Sequence, residues 1–167
     1  MVKDIYYGSS SSDPYELTVV GDSLFFVACI SSTYGCELWS SDGTTAGTDV
    51  VLDIIYGSTD SYPEDLTAVG DILFFTASDG TSSNFHGNEL WMSDGTSLGT
   101  EMVLDIALGT TSSDPDHLVE VGGILYFEAD DNYRGSELWR SDGTSDGTYL
   151  VRDVNFGPRS SSPYGLV

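Results

Sequence analysis

Hydrophobic residues along this chain come in short runs, each bounded by glycine, proline, aspartate or serine. None shows the 3.6-residue spacing of a helix that buries one face. Four kinds of run recur in fixed order. The first is Val-x-Asp-Ile/Val, at residues 2–5, 51–54, 103–106 and 151–154. A Ser/Thr-rich loop follows, carrying a glycine (Gly8, Gly57, Gly109, Gly157) and then a proline (Pro14, Pro63, Pro115, Pro163). The second run is Leu-x-x-Val-Gly, at 17–21, 66–70 and 118–122. A tight turn leads to the third, Leu24-Phe25-Phe26-Val27-Ala28, Leu73-Phe74-Phe75-Thr76-Ala77 and Leu125-Tyr126-Phe127-Glu128-Ala129. The fourth begins Glu-Leu-Trp and ends in an Asp-Gly turn. β-Branched and aromatic runs between turn residues predict four short strands per unit, joined as a meander.

The third run is apolar at consecutive positions, so it should be covered on both faces, unlike a strand of a solvated sheet. A four-stranded sheet packed between two like sheets meets that demand. The expected fold is all-β, with tandem four-stranded antiparallel blades of about 50 residues, either propeller-like or in an open stacked array. The units read as 1–50, 51–102 and 103–150, with a partial fourth at 151–167. Residues 1–18 and 150–167 align without a gap, and only those two copies share Lys3/Arg152 and Pro14-Tyr15/Pro163-Tyr164. A three-unit super-repeat within a longer chain is the expectation from that match.

The fourth run is the most regular. Glu37-Leu38-Trp39-Ser40-Ser41-Asp42-Gly43-Thr44 returns as Glu89-Leu90-Trp91-Met92-Ser93-Asp94-Gly95-Thr96 and as Glu137-Leu138-Trp139-Arg140-Ser141-Asp142-Gly143-Thr144. On these residues the chain resembles the ELW-x-x-DGT repeat proteins, large multi-copy bacterial proteins of the surface or secreted class. The resemblance covers essentially the whole chain. It implies a β-rich, propeller-like repeat in an extracellular or cell-surface setting, and it implies no reaction.

Charge narrows the partners. Asp and Glu number 27 against 5 Lys and Arg, a net charge of -22. Such a chain repels phosphate backbones and anionic lipid, so neither nucleic acid nor membrane insertion is expected. Self-association, further repeats of the same chain, and glycans are the partners that remain.

Each candidate for chemistry has a plainer rival. Asp42, Asp94 and Asp142 are the candidate metal ligands, with calcium the cation suited to an oxygen-rich chain. Their plainer role is to accept local N–H bonds in a turn whose glycine takes positive φ and whose threonine ties it down. Asp4, Asp53, Asp105 and Asp153 are expected to hydrogen-bond the glycine-bearing turn beside them. Glu37/Trp39, Glu89/Trp91 and Glu137/Trp139 share a strand face and could form sugar platforms, whereas packing with a satisfied indole N–H is the rival. His86 and His117 are expected in loops, away from other ligands. Cys29 and Cys36 flank one hairpin loop and are expected to bridge, which points to an oxidising compartment. The unequal loops 30–35, 79–87 and 131–135 are where binding specificity would sit. No catalytic residue is expected, and the first expectation is a non-enzymatic structural protein forming a surface array or fibre.

Overall fold

The computed structural model describes residues 1–163 except 31, 81 and 84. Tyr164 of the terminal match, one residue of the loop 30–35, two of the loop 79–87 and the last four residues of the partial repeat therefore lie outside the described residues. The described chain contains twelve strands and no helix. They are β1 (Tyr15–Val20), β2 (Ser23–Ile30), β3 (Gly35–Ser41) and β4 (Thr48–Leu52), then β5 (Glu64–Val69), β6 (Ile72–Ser78), β7 (Asn88–Ser93) and β8 (Glu101–Leu104). The third set is β9 (Asp116–Val121), β10 (Ile124–Asp130), β11 (Ser136–Ser141) and β12 (Tyr149–Arg152). Each set of four forms its own antiparallel meander, giving three tandem sheets.

The sheets set the phase of the repeat: each begins after the proline, at residue 15, 64 or 116, so a boundary at 50, 102 or 150 runs through the fourth strand. The first Val-x-Asp copy, residues 2–5, departs from the expected strand and is irregular. In the later copies the start of this run pairs with the Trp strand of its own sheet, as Leu52 does with Leu38.

Register explains the double burial of the middle strand. Phe26, Phe75 and Phe127 stand opposite Trp39, Trp91 and Trp139. Alternate residues then face opposite neighbours. Phe25, Val27 and Val51 of the first sheet join Leu73, Phe75, Ala77 and Trp91 of the second in one core. Phe74, Leu90 and Val103 join Leu125, Phe127, Ala129 and Trp139 in the next. The first and second sheets thus each turn a forward face to the back face, the Trp face, of the next. The first strands adjoin, β5 lying against both β1 and β9, and Thr18 Oγ1 donates to the Leu66 carbonyl at 3.1 Å.

Candidate functional site

The linkers between sheets concentrate the polar chemistry. Glu37, Glu89 and Glu137 are fully buried at the start of the Trp strand. Glu37 accepts the Ile54 N–H (3.2 Å), the Ser61 N–H (3.1 Å) and the Ser61 hydroxyl (2.6 Å). Glu89 repeats this with Ile106 and Ser113, and Glu137 with Val154 and Ser161. The serine then reaches onward. Ser61 accepts through its carbonyl from Ser78 N–H in the second sheet, and Ser113 does so from Asp130 in the third. Ser12 serves Cys29 in the same way. Glu37 and Glu89 therefore each fix the linker that seats the next sheet.

Burial dominates the titration of Glu37 and Glu89. It pushes Glu37 and Glu89 up to about 7 against the hydrogen bonds, with Asp53 and Asp105 adding repulsion. Asp53 Oδ2 accepts the Gly57 N–H at 3.0 Å, Asp105 that of Gly109 and Asp153 that of Gly157. The expected bond to the glycine turn is present at these three, although each aspartate stands just past its strand.

The tryptophans leave no platform for a sugar. Trp39, Trp91 and Trp139 are 3%, 8% and 7% exposed and lie between sheets or under residues 5–6, and their glutamates bind linkers. Of the two alternatives, packing is the one their burial fits, since a covered ring offers no face to a sugar. Only Trp139 places its indole N–H on an acceptor, the Ala129 carbonyl at 3.1 Å; those of Trp39 and Trp91 are buried without one.

Asp42, Asp94 and Asp142 act in turns. Asp42 Oδ1 accepts both the N–H and the hydroxyl of Thr44, at 2.8 and 2.7 Å, and Thr44 Oγ1 accepts the Gly47 N–H. Asp94 and Asp142 repeat the pattern with Thr96 and Thr144. The threonine bonds hold all three carboxyls below their ordinary range. A Cβ on Gly47 would come within 2.2 Å of the Asp42 carboxylate, so glycine is required there. Among the described residues no group of three His, Cys, Asp or Glu side chains could hold a metal ion.

Cys29 and Cys36 are bonded, and they pair directly across β2 and β3. His86 lies in its loop with Nδ1 2.7 Å from Asp79 Oδ2, which raises its pKa. His117 departs from expectation: it sits in β9, 3.6 Å from both Asp116 and Glu128.

One feature carried no signal in the residue types. Glu16, Asp65 and His117 occupy equivalent places in β1, β5 and β9 with φ of 55°, 56° and 57°, each at the bulge where the first strand slips against the second. Burial, with Asp116, Glu16 and Glu64 nearby, pushes the Asp65 carboxyl up to about 6. A non-glycine residue at positive φ is strained, and only the surrounding sheet imposes it.

Compared with known proteins, the chain matches no family model and no curated protein.

Proposed function

We propose that the protein is a non-enzymatic structural repeat protein of the extracellular or cell-surface space, whose sheets stack into an array or fibre. One observation supports this above the rest: the residues that recur are used up in holding one sheet against the next. The glutamate seats the linker, the tryptophan fills the gap between sheets, and the Asp-Gly-Thr turn closes on itself. The ELW-x-x-DGT resemblance supports the setting, and so does the Cys29–Cys36 bond, which persists where thiols are oxidised. Acidic loops facing water, with calcium as their counter-ion, complete the reading. Electron microscopy of concentrated protein tests it: filaments or extended arrays are expected, and dispersed single particles under all conditions would refute it.

The hairpin loops favour a second reading, a propeller that binds glycan or protein. Loops 79–87 and 131–135 differ between units, and each is held by its own ion pair, His86 with Asp79 and Arg134 with Asp131. Saturable binding on a glycan array, lost when these loops are exchanged, would favour that reading over the structural one.

A further inference from the structure

Each internal junction is built from a knob and a recess. Phe25, on the forward face of the first sheet, closes on Gly95 in the Asp-Gly turn of the second, where a Cβ would stand 3.2 Å from its ring. Phe74 does the same to Gly143 of the third sheet at 3.4 Å, and Met92 Sδ lies at the same distance. The series continues past the last junction. Tyr126 holds the third knob position, and Arg140 stands where Met92 stood, directly across the strand pair from it. At the other end Gly43 is the first recess, with nothing within 4 Å of the place a Cβ would take.

The surrounding surface has the same unpaired character. Val151 and Val154 are 44% and 67% exposed, while their counterparts Val103 and Ile106 are 7% and 6%. On the back face of the first sheet Leu17 is 62% exposed, while Leu66 in the next unit is 7%. Beside Leu17 runs a groove of about 230 Å³ bordered by Val2, Leu24, Phe26, Ser41 and Thr48. Arg140 Nε is buried without a hydrogen-bond partner, in a chain with few cations to spare. Where Met92 meets the Asp142-Gly143-Thr144 turn, Arg140 in the same position would meet Asp42-Gly43-Thr44. The replacement of a thioether by a guanidinium thus sets a positive charge against an acidic turn.

We propose that the forward face of the third sheet docks on the back face of the first sheet of a second copy, head to tail. Tyr126 seats over Gly43, and Arg140 pairs with Asp42. This rests on the structural reading above and gives that reading its interface. The duplicated ends take part. Residues 1–14 occupy the linker place on the first sheet, and the Ser12 carbonyl there accepts the Cys29 N–H. Residues 153–163 are fixed, because Glu137 binds the N–H and hydroxyl of Ser161. On docking, residues 1–14 give way, and the Ser161 carbonyl takes the Cys29 N–H.

Sedimentation velocity of the full chain from micromolar to millimolar concentration tests this. Wild type should form concentration-dependent oligomers. Arg140→Glu, or Val151→Glu at the exposed rim, disables one end, and Leu17→Glu disables the other; each should weaken association at least tenfold while the melting profile confirms the fold. An equal mixture of an Arg140→Glu or Val151→Glu protein with the Leu17→Glu protein should recover dimers and nothing longer, because each brings one working end. A wild type that stays monomeric would overturn both this interface and the structural reading. Assembly untouched by the variants, or a mixture that fails to recover dimers, would overturn the interface alone.

Discussion

A carboxylate with no exposure is a costly thing to bury, and the chain does it once per unit. Glu37, Glu89 and Glu137 offset that cost with backbone and serine donors, which fixes the linker geometry in return. Removing the acceptor leaves the donors stranded. Glu89→Ala should therefore destabilise the protein by roughly 3 kcal/mol, measurable by urea unfolding, because the Ile106 N–H and the Ser113 hydroxyl lose their acceptor. Titration adds a pH dependence of definite sign. An unfolded glutamate titrates near 4.5, whereas Glu37 and Glu89 in the folded chain are raised to about 7. The folded state thus binds more protons between those values, so this contribution is full below the unfolded pKa and is lost as pH rises to about 7. Asp65, raised to about 6, acts in the same direction. The melting temperature should fall between pH 5 and pH 8, and a Glu37→Gln, Glu89→Gln double variant should flatten that fall; an unchanged slope would show that the overall acidity is responsible instead. The sequence displayed these glutamates as part of a motif but not their role, since the partner serine lies 24 residues on in a loop of unremarkable composition.

At the scale of elements, turn chemistry was the most legible part. Asp-Gly-x-x-x-Gly-Thr leaves few alternatives: the aspartate must find donors at once, and the structure gives it Thr44, Thr96 or Thr144. Gly99→Ala would drive a methyl into the Asp94 carboxylate, which lies 2.3 Å from the Cβ position. Loss of the Asp94–Thr96 bonds and a melting temperature lower by several degrees are expected, with a cost of about 2 kcal/mol. The Cys29–Cys36 bridge was legible from placement at the two ends of one loop. Closing so short a ring constrains the unfolded chain by about 2–3 kcal/mol in the chain-entropy picture, so reduction should lower stability by that order. Intact mass after alkylation would verify the redox state in the same experiment. The bulged first strands were not legible, because three different residues, Glu16, Asp65 and His117, hold the positive-φ place and share no turn signature; that conformation comes from the pairing of β1, β5 and β9 with their neighbours.

For the whole molecule, two core clusters lie between sheets, and a third lies between the first sheet and residues 5–6. The apolar doublets of the middle strands showed this in the sequence, because a strand with two apolar faces needs a neighbour on each. What the doublets could not show is which neighbour takes which face. Phe75 is fully buried in the first shared core, its ring 6.5 Å from that of Trp91. Phe75→Ala should cost roughly 3–5 kcal/mol. Because the first sheet leans on the same ring, hydrogen exchange should quicken in β2 and β3 as well as in β6 and β7. Protection lost from the second sheet alone would mean the sheets fold independently.

The serine that joins each buried glutamate to the following sheet has a genetic corollary. Since both junctions use the same donors and acceptors at the same separation, inserting or deleting a whole unit by unequal recombination rebuilds an equivalent joint at the scar. A cut out of phase would strand an acid in the interior and be purged. Descendants of such a gene are free to vary in length, but only in whole steps.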